Sequence, residues 1–209
     1  MGLVLLHIGL LEEARAEFQT AIALNPSNNA AQFRLGETLF FEQRYREARN
    51  IFEKIDADFN PALKEYQLDW TLFALGQTSE AISRLENYLK QHPEDGGGLL
   101  ASVQAMMLAA LGRNDDAEKR IQAAQTRRGF GHFHHTEYNI ACAYALMNKT
   151  DLAIEWFERA VNDGFNCYPM FKNDSNLNSL RNDARFQRIM EAERIKWENY
   201  RAKFAAPAP

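Results

Sequence analysis

The chain has 209 residues, 46% of them hydrophobic, with 24 basic against 28 acidic side chains and a formal net charge of −4. That balance excludes a surface that grips nucleic acid by positive charge alone, while the hydrophobic share is enough for a continuous core. Two cysteines, Cys142 and Cys167, are too few for a disulfide framework and fit a reducing compartment, the cytoplasm, or inert buried thiols.

The N-terminus, MGLVLLHIGLLEEAR, carries an apolar stretch interrupted by His7. It has no basic lead and no small-residue cleavage pattern, which argues against a signal peptide or a membrane span. Leu6 stands where acylation of Gly2 would require Ser or Thr.

From Gly9 a pattern begins that returns along the chain: GLLEEARAEFQTAIALNP at 9–26, QRYREARNIFEKIDADFNP at 43–61, GQTSEAISRLENYLKQHP at 76–93, GRNDDAEKRIQAA at 112–124 and NKTDLAIEWFERA at 148–160. Ala14, Ala48, Ala81, Ala117 and Ala153 mark it. Each alanine follows a turn residue (Gly9, Gln43, Gly76, Gly112 or Asn148) and is followed four places on by Phe18, Phe52, Leu85, Ile121 or Phe157. Three further on stand Ala21, Ile55, Tyr88, Ala124 and Ala160. Places i, i+4 and i+7 share one helix face. The small residue lets that helix lie close to a partner helix, and the large one fills the gap beside it. Pro26, Pro61 and Pro93 are expected to stop the helix. The partner helix precedes each unit; in QFRLGETL at 32–39, Leu35, Gly36 and Leu39 form its contact face, and Gly2 falls in the register of Gly36.

These residues resemble the tetratricopeptide repeat (TPR), whose unit pairs a W-x2-L-G-x2-Y helix with A-x3-F and a closing proline. The resemblance is tightest over 1–93. It implies an all-α, right-handed superhelical solenoid of about five antiparallel helix pairs, with units near 1–28, 29–61, 62–95, 96–128 and 132–165. Asp69 departs from it, standing where the third unit should have a small residue; a polar partner is the expected explanation. Met1 enters the repeat part-way through its first helix, so that end is expected to belong to a longer protein or to be covered by a partner chain or another copy.

Residues 166–204 break the repeat. Asp174, Leu177, Leu180, Arg181, Asp183, Arg185 and Phe186 resemble the D-x-x-L-x-x-L-R-x-D-x-R-F ending of many bacterial TPR arrays, which implies a cap over the last helix pair. Asp183 reads as a helix cap, with Phe186, Ile189, Met190 and Trp197 at helical spacing. Arg181 and Arg185 read as ion-pair partners of Asp174 or Asp183 rather than phosphate ligands. Residues 205–209 read as a short disordered tail.

Chemistry is sparse. Gly96-Gly97-Gly98 lacks the Lys and Ser/Thr of a phosphate loop and reads as an inter-repeat turn. Glu12/Glu13 and Asp115/Asp116 fall at helix starts, where they complement the helix dipole. The basic cluster of Lys119, Arg120, Arg127 and Arg128 lies beside Asp115, Asp116 and Glu118 and reads as a solvated face. His132, His134 and His135, with Glu137 and Cys142 beyond, are metal-ligand types. They show no regular ligand spacing, and the adjacent His134 and His135 are expected to diverge. No metal, cofactor or catalytic residue is expected.

What the resemblance implies for binding is more specific. The first helices would line a concave face, presenting Phe33, Glu37, Phe40, Leu63, Tyr66, Trp70, Phe73, Met106 and Tyr138 as a protein- or peptide-binding surface. Among the places that clamp acidic chaperone tails, only Arg34 and Asn139 are of the required type, so an apolar or aromatic segment, or an internal helix, is the expected guest. The leading expectation is a non-catalytic scaffold for a protein partner, with no nucleic acid or membrane involved. The alternatives are a self-associating or regulatory module of a larger signalling protein and, remotely, a metal-dependent activity around His132–Cys142.

Overall fold

The turns between paired helices set the architecture, and they are built alike. In a computed structural model, described over residues 1–56, 59–126 and 133–204, the turn residues Gly9, Gln43, Gly76, Gly112 and Asn148 all have positive φ, from 58° to 80°. At each, two backbone N–H groups reach back to the end of the preceding helix: Gly9 to Leu6 and Leu10 to Leu5, then Gln43 to Phe40 and Arg44 to Leu39, and so through the chain. This left-handed cap satisfies carbonyls that a helix end leaves unpaired, and it reverses the chain within three residues.

Between the turns run α1 (Gly2–His7), α2 (Leu11–Leu24), α3 (Asn29–Phe41), α4 (Tyr45–Lys54), α5 (Pro61–Ala74), α6 (Thr78–Gln91), α7 (Leu99–Ala110), α8 (Asn114–Gln125), α9 (Phe133–Leu146) and α10 (Thr150–Asn162). After them come α11 (Tyr168–Asn173), a 3-10 turn over Ser175–Leu180 and α12 (Ala184–Phe204). No strand occurs among the described residues. The molecule is an all-α stack of helix pairs with a helical C-terminal segment.

All five ladder alanines are fully buried. In the first two pairs a ring of the second helix lies directly on a glycine of the first. A Cβ added to Gly36 would lie 2.5 Å from the Phe52 ring, and one added to Gly2 would lie 2.7 Å from Phe18. In the third pair Asp69 replaces the small residue, and the shorter Leu85 replaces the phenylalanine. Asp69 accepts a 3.0 Å bond from Arg84 Nε, while Arg84 Nη2 holds Glu65 at 3.0 Å. The polar partner therefore comes from the second helix of the same pair.

Pro61 differs from expectation. α4 ends at Lys54, and Pro61 is the first residue of α5, capped by Asn60 accepting from Leu63 N–H. Proline at that position loses no hydrogen bond, because the first helical N–H groups have no intrahelical acceptor. Gly96–Gly98 forms a tight turn in which Gly97 and Gly98 are left-handed (φ 72° and 68°), and Asp95 caps α7 through the N–H groups of Leu100 and Ala101 at 2.9 and 2.8 Å. Residues 127 and 128, His132 and the tail 205–209 lie outside the described residues.

The C-terminal segment does more than cap the last pair. Gly164 (φ 102°) repeats the left-handed turn, with Phe165 N–H bonded to Ala160, and sends the chain inward. Phe165, Cys167, Phe171, Leu177 and Leu180 are fully buried. The segment then meets the first pair. Asn166 N–H donates to the His7 carbonyl at 3.1 Å, Gln43 Nε2 donates to the Asn173 carbonyl at 2.9 Å, and Trp197 Nε1 donates to the Gly9 carbonyl at 2.9 Å. The two ends of the array are thus joined within one chain.

Candidate interaction site

Phe33, Glu37, Phe40, Tyr66, Trp70, Met106 and Tyr138 are brought together, but in the interior; only Leu63 and Phe73 of the nine expected contact residues are half-buried. Ring contacts run from Phe40 to Trp70 (4.7 Å between centroids), from Trp70 to Tyr66 and Tyr138 (5.5 and 6.3 Å), and from Tyr138 to Phe171, stacked at 5.3 Å. Phe41 and Tyr138 also contact Phe165, at 5.7 and 5.2 Å. The expected open aromatic face is therefore corrected. Phe33, Phe40, Tyr66 and Trp70 are buried by packing on neighbouring helices and on each other. Residues 165–174 of the same chain cover the Phe41 and Tyr138 end of the row, where aromatic rings gain by burying against one another.

Several polar groups in this interior are matched to one another, while Asn139 Oδ1, Gln67 Nε2 and Gln104 Oε1 are buried without a hydrogen-bond partner among the described residues. Tyr138 OH donates to Asp174 Oδ2 at 2.6 Å, and the Cys142 thiol points to the same oxygen at 3.8 Å. Burial pushes all three groups above their ordinary pKa values. Asn139 Nδ2 donates to Tyr66 OH and Ser102 Oγ at 3.1 and 3.0 Å, so it is a core tie between α5, α7 and α9. Arg181 donates to the carbonyls of Phe171 and Asp174 at 2.7 and 2.9 Å, while Arg185 pairs with Asp183 and Asp151, both at 2.8 Å. The expected carboxylate partners hold for Arg185 and not for Arg181, whose guanidinium instead ties the inserted segment through its backbone.

The inserted segment leaves two openings at the edges of the groove. One, of about 410 Å³, lies among Phe40, Trp70, Phe73, Met170 and Asn173. The other, of about 390 Å³, is framed by Arg34, Glu37, Leu63, Tyr66, Leu99 and His135, with Ala62 and Leu100 behind. Glu37 pairs with Arg34 at 2.5 Å; burial raises its carboxyl, and Arg34 opposes that rise. Leu63, Arg34 and Leu99 remain half-exposed at the mouth.

The histidines behave differently from expectation. His134 and His135 converge, with ring centroids 4.6 Å apart, and His7 joins them from α1 at 5.1 and 5.3 Å. Cys142 is not part of this group, since it faces Asp174, and His132 lies outside the described residues. His7 and Phe165 are the residues that sequence reasoning missed. The signal for Phe165 was present, since Gly164 repeats the turn glycine and an unusually apolar run follows it; His7 carried none.

Family models described as tetratricopeptide repeats match residues 5–68, 70–95 and 138–162, together more than half of the chain. The chain is a tetratricopeptide repeat protein. TPR arrays are protein-interaction scaffolds, and this TPR chain has their paired-helix construction. A solved structure to which it is similar is that of YrrB, described as a TPR protein with an unusual peptide-binding site. The two are 25% identical over 82% of this TPR chain and 87% of that one, with a TM-score of 0.45. No curated protein matches the sequence. No helix among the described residues is long and apolar enough to cross a membrane.

Proposed function

We propose that this TPR protein is a non-catalytic scaffold that binds a short peptide segment of a protein partner by taking one apolar side chain into the opening framed by Leu63, Tyr66 and Leu99. The observation that carries this reading is the opening itself. It has about 390 Å³, within the range of ligand sites, and an apolar wall with polar groups at its rim. It is the remnant of the concave face that TPR arrays use, left open where residues 165–174 do not reach. The acids beside it serve the fold: Glu37 is paired with Arg34, and Asp95 caps α7. That favours binding over catalysis.

Peptides selected from a displayed random library against the purified chain, measured by fluorescence anisotropy, test this. Leu63→Arg should weaken the selected peptides about tenfold or more, the size of an interface anchor, while Phe73→Arg at the other opening leaves them unchanged. Equal binding to wild type and Leu63→Arg would overturn the assignment. Self-association through α1 is the second reading, favoured by the exposed Met1 and Val4 side chains, 84% and 60% accessible. Sedimentation showing a dimer that Val4→Glu dissolves would support it, and a monomer at all concentrations would remove it.

A further inference from the structure

His7, His134 and His135 come from opposite ends of the array, and no interaction role assigned above uses their convergence. Their candidate ligand nitrogens all lie within 4.8 Å of one another, and His7 Nε2 is 3.2 Å from His135 Nε2. Zinc binds imidazole nitrogen at about 2.0–2.1 Å in tetrahedral geometry, which places two ligand nitrogens about 3.3 Å apart. The His7–His135 pair already has that separation. The widest pair needs to close by at most about 1.5 Å, within reach of a ring rotation.

The surroundings also favour a ligand set. His7 Nδ1 donates to the Leu3 carbonyl at 3.0 Å, so His7 Nε2 accepts the 3.2 Å hydrogen bond from His135 Nε2–H. A backbone carbonyl in that role is the usual means of fixing a metal-binding tautomer. A bound cation would replace the proton bridging His7 and His135, which moves to His135 Nδ1. Phe165 backs the group, stacked on His134 (5.7 Å, 23°) and tilted on His135 (4.7 Å), so the rings are held by packing.

We propose that His7, His134 and His135 form a binding site for Zn2+ or a similar first-row divalent cation, which ties α1 to α9. Three imidazoles suit such cations better than Mg2+ or Ca2+, which prefer oxygen. The tie would join residues 128 apart in sequence, restricting the unfolded chain as a long-range cross-link does. Three protein nitrogens leave a fourth coordination position, and the half-burial of His7 and His134 gives water access to it.

The test uses the full chain, stripped with a chelator and titrated with ZnCl2 by calorimetry. One Zn2+ per chain and a raised melting temperature are expected. His7→Ala and His134→Ala should each weaken binding about tenfold or more, whereas His92→Ala, on the C-cap of α6 and outside the ligand group, binds as wild type. Imidazole nitrogen NMR of the wild-type protein guards against a variant that fails to fold. Zinc should shift the resonances of the three site histidines and spare His92. Absence of saturable stoichiometric uptake, unchanged binding by both site variants, or NMR shifts outside the trio would each overturn the site.

Discussion

The front and back of this array solve the same packing problem in different ways. In the first two pairs, an aromatic ring lies on a glycine, Phe18 on Gly2 and Phe52 on Gly36, and the second helices bury little else: Leu11 and Ala14 in α2, Ala48 and Phe52 in α4. Among first helices, the front's α3 buries eight of its thirteen residues, whereas in the back α7 buries every residue from Leu100 to Ala109 and α9 buries Phe133 and every residue from His135 to Ala145. The back's second helix α8 buries only Ala117, Ile121 and Ala124, as sparsely as α2 and α4. Helices buried all round are core elements, whereas helices buried along one stripe are surface elements. A repeat array is expected to be quasi-one-dimensional, each unit touching its neighbours. Here residues 165–180 pack on α9 and α10 and then reach the first pair, so the two ends of the array also touch.

If that contrast is real, removing the same kind of side chain should cost more in the back. Phe171→Ala should destabilise the fold by about 3–5 kcal/mol, the usual range for an aromatic deleted from a core. Phe18→Ala, half-buried at the front, should lose less. Urea denaturation of both variants measures this, and equal losses would erase the distinction.

The seam between the halves is tested by turn glycines. Gly9 and Gly76 have nearly the same φ, 75° and 80°, so alanine meets the same backbone strain at both. A Cβ at Gly9 would also lie 2.6 Å from Pro169 and 3.2 Å from Trp197, while one at Gly76 meets nothing within 4 Å. Gly9→Ala should therefore cost roughly 1–3 kcal/mol more than Gly76→Ala, the price of overpacking. Similar melting points for the two would mean that the ends do not meet as described.

A smaller effect is electrostatic. Burial pushes the Asp69 carboxyl up from its ordinary 3.8 to about 8, with Glu65 adding to the rise and Arg84 opposing it. The folded state thus keeps a proton that the unfolded chain sheds above pH 4. The associated stability is fully present below about pH 4 and is lost as pH rises toward 8. Asp69→Asn should flatten that part of the profile, with the remaining slope belonging to Glu37 and Asp174, whose carboxyls burial also raises. Denaturation midpoints at pH 5 and pH 8 check it, and an unchanged slope would assign the titration elsewhere.

The smallest expected change is a gain. Asn148 holds φ 58° at the last repeat turn, and Asn148→Gly should stabilise by about 1 kcal/mol by relieving left-handed strain. A loss in thermal midpoint would show that the Asn148 side chain contributes more than the strain it carries.

Much of the repeat was legible because its determinants are local. Ala48, Phe52 and the turn at Gln43 act within one helix pair, so their spacing recurs in the sequence, and even the departure at Asp69 was visible as a break in register. Pro61 was misread because a proline between two helices can end one or begin the next, and only the position of Lys54 as the last residue of α4 decides. The groove positions Phe33, Tyr66, Trp70 and Tyr138 were correctly grouped on the inner helices, yet their exposure could not be read. That depended on what would lie against them.

The sequence by itself determined the helix pairs, their turns, and the inward face of each first helix, since these follow from contacts between residues a few places or one repeat apart. Only the tertiary structure decided that the chain fills its own groove, that Trp197 closes on Gly9, and that His7 meets His134 and His135. The last two join segments more than 120 residues apart, and the first sets Tyr138 against Phe165, Phe171 and Asp174 outside the repeat register. No periodicity therefore records the pairing, and the burial of Phe165 and Phe171 sets which surfaces meet.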